Sequence, residues 1–117
     1  MNGKILITLL LLFVGLTAFA DNDYNARQAR HYQQEAEYYQ KKAESYRREA
    51  AYYKKKAEGY QREATYYTGR GDMSRAKDYT RLAEKAMDDY STQMRYARQA
   101  DEKAADYLRR ASNALRR

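Results

Sequence analysis

Residues 29–67 read ARHYQQE AEYYQKK AESYRRE AAYYKKK AEGYQRE ATYY, and this stretch decides the fold. Written in sevens, it places alanine at Ala29, Ala36, Ala43, Ala50, Ala57 and Ala64. A tyrosine follows each three residues later, at Tyr32, Tyr39, Tyr46, Tyr53, Tyr60 and Tyr67. Apolar residues spaced 3, 4, 3, 4 form one stripe along a helix, the sign of a coiled coil. Downstream, the register returns in a new phase at Ala76, Ala83, Tyr90, Ala97, Ala104 and Ala111.

The jump in phase coincides with Gly69 and Gly71. Glycine readily takes the left-handed conformation that ends a helix, and Asp72 or Ser74 supplies a cap for the next one. The expected fold is all-α: a long antiparallel two-helix coiled-coil hairpin with Ala/Tyr heptads, able to associate into a four-helix bundle. Helix one is expected over about 23–68, the turn over 69–72 and helix two over about 73–116. Each helix would be on the order of 65 Å long.

Folding the chain about Gly71 and Asp72 sets Tyr67 against Ala76, Ala64 against Tyr79 and Tyr60 against Ala83. Further out, Tyr39 meets Ala104, Ala36 meets Tyr107 and Tyr32 meets Ala111. Large against small fills a seam without voids. Tyr53 against Tyr90 is the bulky exception, and nearby Gln93 is expected to hydrogen-bond a tyrosine hydroxyl and pin the register.

Residues 1–20 read differently. Lys4 gives a positive start, Ile5–Leu16 is a nearly unbroken apolar run, and Ala18-Phe19-Ala20 offers small residues before Asp21. That pattern is a secretory signal peptide, expected to be cleaved after Ala20. The protein would then be periplasmic or secreted by a bacterial-type route. Absence of cysteine removes disulfides and thiolate metal sites, which suits a bacterial envelope better than a small disulfide-stapled scaffold.

Every Ile, Val and Phe lies in that leader, so residues 21–117 keep only three leucines, three methionines and the fourteen tyrosines as large apolar groups. Such a composition normally means disorder, but sustained heptads of good helix formers and the lack of proline point to helix instead. A thin helical hairpin offers no enclosed pocket, so no enzyme, cofactor or metal site is expected.

Around the turn, Tyr60, Ala64, Tyr67, Gly71, Asp72, Ala76 and Ala83 have a spacing that resembles the helical hairpin of a tetratricopeptide repeat, over about 30 residues. Asp88 stands where that unit closes on proline, and the helices run far beyond the repeat length. The likeness is one of turn chemistry and implies no peptide-binding groove. Arg70-Gly71-Asp72 at the tip is equally what a turn and a helix start require. His31 with Glu35 makes a poor metal pair, and Met87 with Met94 reads as packing rather than a copper site.

Two surfaces remain as candidates. Lys41, Arg48, Lys55 and Arg62 form a seven-spaced basic row beside Tyr38, Tyr52 and Tyr66. Cations interleaved with aromatics suit anionic polymers or lipids such as lipopolysaccharide, an anionic glycan or extracellular nucleic acid, without base-specific readout. On helix two, Met87, Met94, Leu108 and Leu115 form an extra line that a two-helix hairpin would leave uncovered, a partner surface for self-association or another envelope protein. The leading functional expectation is an exported, non-enzymatic scaffold, adaptor or chaperone-like protein working through such contacts. Binding of anionic envelope polymers is the alternative.

Overall fold

The structure, a computed structural model, describes residues 23–116; the expected signal peptide lies outside them. Two helices account for this span, α1 (Asp23–Gly69, 47 residues) and α2 (Met73–Arg116, 44 residues). No described helix is long and apolar enough to cross a membrane. Residues 23–116 form an antiparallel two-helix coiled-coil hairpin. Its contacts divide it into two units: a turn-side unit, 45–96, and a terminal-side unit, described over 23–44 and 97–116.

In the turn-side unit the reversal is a Schellman motif. The Asp72 N–H donates to the Tyr67 carbonyl at 2.9 Å and the Gly71 N–H to the Thr68 carbonyl at 3.1 Å, satisfying carbonyls that the end of α1 would otherwise leave unpaired. Gly71 has φ of 78°, a conformation that costs other L-residues roughly 1–2 kcal/mol. One residue on, the Asp72 carboxylate accepts the Arg75 N–H at 3.1 Å and caps the start of α2. Gly71 ends one helix and Asp72 starts the next, with nothing left between them to relax.

Beyond the turn, Ala50, Ala57 and Ala64 of α1 and Ala76, Ala83 and Ala86 of α2 are buried. The Tyr79 ring lies between two rings of α1, parallel to Tyr67 at 5.6 Å and tilted to Tyr60 at 6.2 Å. Tyr46 meets Tyr96 at 5.4 Å. Contacts advance along α2 as they recede along α1, so the pairing is antiparallel.

In the terminal-side unit the same device recurs: Tyr107 stacks on Tyr39 at 5.8 Å and on Tyr32 at 6.1 Å. Ala29, Ala36 and Ala43 of α1 and Ala104 and Ala111 of α2 are fully buried. Ala29, Ala111 and Ala114 form one cluster, with Tyr32 and Leu115 packed on it.

Two details of the seam differ from the expectation. First, Tyr32, Tyr39, Tyr53, Tyr60 and Tyr67 are half-buried edges, while the alternate buried position of the terminal-side unit belongs to Gln33 and Gln40. Closely apposed alanines bring backbones together, leaving a wide ring room only at the margin, where its hydroxyl keeps access to water. Second, Gln93 is half-buried and makes no side-chain hydrogen bond among the described residues, so it does not pin the register. Interleaved rings are positioned to do that instead.

Candidate functional surfaces

Three tyrosine pairs stand two heptads apart on α1: Tyr38-Tyr39, Tyr52-Tyr53 and Tyr66-Tyr67. The second ring of each is half-buried at the seam and the first is exposed. Each pair makes the same edge-on contact, with centroids 5.1, 5.4 and 5.1 Å apart and planes at 78°, 65° and 79°. Four residues after each exposed ring a cation sits over it: Lys42 Nζ 5.3 Å from Tyr38, Lys56 Nζ 5.4 Å from Tyr52, and the Arg70 guanidinium 5.6 Å from Tyr66. Arg70 Nη1 also donates to the Tyr66 hydroxyl at 3.0 Å. The i, i+4 spacing produces this, because those positions are neighbours on a helix surface.

Sequence reasoning singled out the row one residue earlier. Lys41, Arg48, Lys55 and Arg62 are all exposed, but the cations over the exposed ring of each pair are Lys42, Lys56 and Arg70; Arg75, Arg95, Lys103 and Arg110 lie over Tyr67, Tyr96, Tyr39 and Tyr107. Lys41 is engaged by Glu37 at 3.4 Å. A search for aromatic–cation pairs at i, i+4 would have found the seated set.

Within the turn-side unit, charge is unevenly shared. Residues 45–70 carry seven Lys/Arg and three acidic residues, while 72–96 carry five of each. On α2 the cations are largely answered: Arg75 by Asp72 at 3.5 Å, Arg81 by Asp78 at 3.6 Å and Lys85 by Asp89 at 3.6 Å. On α1, Arg48, Lys54, Lys55 and Arg62 make no ion pair among the described residues. The exposed Tyr52 and Tyr66 therefore stand on a stretch with an excess of four positive charges, seven less three.

The Met/Leu line of α2 divides. In the turn-side unit Met87 and Met94 are exposed, as is Leu82 on the other flank. Met87 borders an open groove of about 330 Å³ with Ala57, Ala83, Lys54, Gln61 and Glu84. In the terminal-side unit Leu108 is only 4% exposed, and Leu115 is half-buried against the Ala29/Ala111/Ala114 cluster. Leu108 and Leu115 thus belong to the packing of their own unit, and the free edge shortens to Met87 and Met94.

Other chemistry is sparse. His31 is exposed, tilted against Tyr32 at 5.7 Å, and no group of three or more metal-ligating side chains occurs among the described residues. Asp106 has its carboxyl held below the ordinary carboxylate range, chiefly by the hydrogen bond from Arg109; desolvation opposes this, and the charges of Arg110 and Arg109 add to it. The two guanidinium contacts are 2.9 and 3.0 Å, so one carboxylate is shared by two cations at the surface. No protein-family model matches the chain, and neither a search of curated proteins nor one of solved structures found a match.

Proposed function

We propose that this is an exported, non-enzymatic binding protein whose α1 face holds an anionic polymer of the cell envelope. One observation carries the reading: in the turn-side unit Arg48, Lys55 and Arg62, beside exposed Tyr52 and Tyr66, make no ion pair among the described residues, while three cations of α2 sit on neighbouring carboxylates. Uncompensated charge on one face is what attracts and retains a polyanion. Export rests on the leader pattern of residues 1–20.

The test is binding of a sulfated polysaccharide as salt is raised, with wild type beside Arg48→Glu/Lys55→Glu/Arg62→Glu. Affinity should fall steeply with salt and vanish in the triple variant. Salt-insensitive binding that survives the triple change would sink the proposal.

A scaffold or adaptor role through protein contacts is the second reading, favoured by the exposed Met87 and Met94 beside the open groove. Association through that edge should persist in high salt and fail in Met87→Ser/Met94→Ser.

A further inference from the structure

The tyrosine pairs of α1 are too alike to be incidental surface. In the turn-side unit, the Tyr52-Tyr53-Lys56 and Tyr66-Tyr67-Arg70 groups agree in ring contact and in cation placement. The Tyr38-Tyr39-Lys42 group in the terminal-side unit has the same local geometry. Each group holds an ammonium or guanidinium against an aromatic face and presents it with a phenolic hydroxyl. A cation seated this way has fewer conformations to lose on meeting an anion, which is pre-organisation.

Resting on the polymer reading above, we infer that the two turn-side groups are successive subsites for one linear anionic glycan lying along α1. Tyr52 and Tyr66 are fourteen residues apart, or roughly 21 Å along a helix, with Lys55 and Arg62 between them. The two groups are the docking points and the intervening cations give general attraction. A carboxylate, sulfate or phosphate of the glycan meets the seated cation, and sugar hydroxyls meet the tyrosine hydroxyl.

Nucleic acid fits the same charge less well. Base stacking uses an open ring face. Here one face of Tyr52 lies under Lys56 and one face of Tyr66 under Arg70, and each ring is further engaged edge-on by its neighbour. The seated cation and the phenolic hydroxyl together suit a hydroxylated polyanion.

Length separates subsites from a diffuse basic face. The experiment titrates the purified protein with sulfated oligosaccharides of graded length, with single-stranded DNA of matched charge and with neutral dextran. Linking two subsites raises affinity by roughly 10²–10⁴ once a ligand spans both, so Kd should drop by at least about 100-fold as length passes roughly 21 Å. Tyr52→Ala/Lys56→Gln or Tyr66→Ala/Arg70→Gln should each abolish the step, while short oligosaccharides still bind at the one remaining group and the helical circular dichroism is unchanged. Neutral dextran should not bind.

A smooth rise with ligand charge, equal in wild type and these variants, would overturn the subsite inference and leave the polymer reading standing. Tighter binding of the DNA, weakened by Tyr52→Ala alone, would overturn the glycan assignment in favour of base stacking. Absence of any polyanion binding at low salt would overturn both.

Discussion

The two units share one heptad register and close it differently. On α1 the position after each seam tyrosine holds Gln33 and Gln40 in the terminal-side unit, at 4% and 7% exposure. In the turn-side unit the same position holds Arg47, half-buried, then Lys54, Gln61 and Thr68, all exposed, of which Lys54 and Gln61 border the open groove. The α2 line that contains Leu108, buried, contains Met87 and Met94, exposed. A heptad repeat therefore specifies a stripe but not its width. Where the stripe is wide, polar groups are drawn inside; where it is narrow, apolar and cationic groups stay available for other molecules.

Breaking a fully buried contact should have the largest effect. Ala104→Leu, at a site with no exposed surface, should overpack the terminal-side seam and cost about 1–3 kcal/mol. Ala64→Leu, at 8% exposure in the turn-side unit, should cost less. Equal losses in chemical denaturation of the two variants would erase the distinction between the units.

Next comes the turn. Gly71→Ala should cost about 1–2 kcal/mol, since φ there is 78°. Gly59→Ala should instead stabilise by about 0.5–1 kcal/mol, because an added Cβ would meet only the end of the Arg62 side chain at 4.0 Å. A thermal shift of the same sign for both would mean the reversal is not the Schellman turn described.

Buried amides sharpen the contrast further. Gln33 Nε2 and Gln40 Nε2 have no hydrogen-bond partner among the described residues, and an unsatisfied buried donor costs about 1–3 kcal/mol. In the full-length chain Gln40→Met should raise stability by about 1 kcal/mol, while Gln61→Met at the exposed equivalent should stay within roughly 0.5 kcal/mol of wild type. Loss of stability in Gln40→Met would show that this amide is bonded in solution.

The smallest effect concerns acid. Asp106 has a folded pKa below its ordinary 3.8, so its contribution is complete above that value and is lost as pH falls through the lowered one. Wild type should be slightly more stable than Asp106→Asn at neutral pH, with the gap closing at the acid end. A carboxyl titration by NMR that gives an ordinary midpoint would remove the effect.

Much of the hairpin was legible because its signals are local. Ala29 to Ala64 carry the helical period, and the phase jump to Ala76 with Gly71 and Asp72 announces the reversal. The row Lys41, Arg48, Lys55, Arg62 came from seven-residue spacing alone. That spacing passes over Lys42, Lys56 and Arg70, whose placement depends on i, i+4 reach to a ring. Gln93 shows the opposite error: a residue given a partner by arithmetic finds none, because facing positions need not bring polar atoms together.

Composition and periodicity by themselves determined that residues 23–116 form two helices, where the chain turns between them and which alanines face inward, since backbone propensity and a repeating stripe act over a few residues. Tertiary structure alone decided how far burial spreads from the stripe. It put Leu108 and Gln40 inside and left Met87 and Lys54 out, and set Tyr79 and Tyr107 between rings of the other helix. Those outcomes depend on distances between side chains far apart in sequence, which no periodicity encodes.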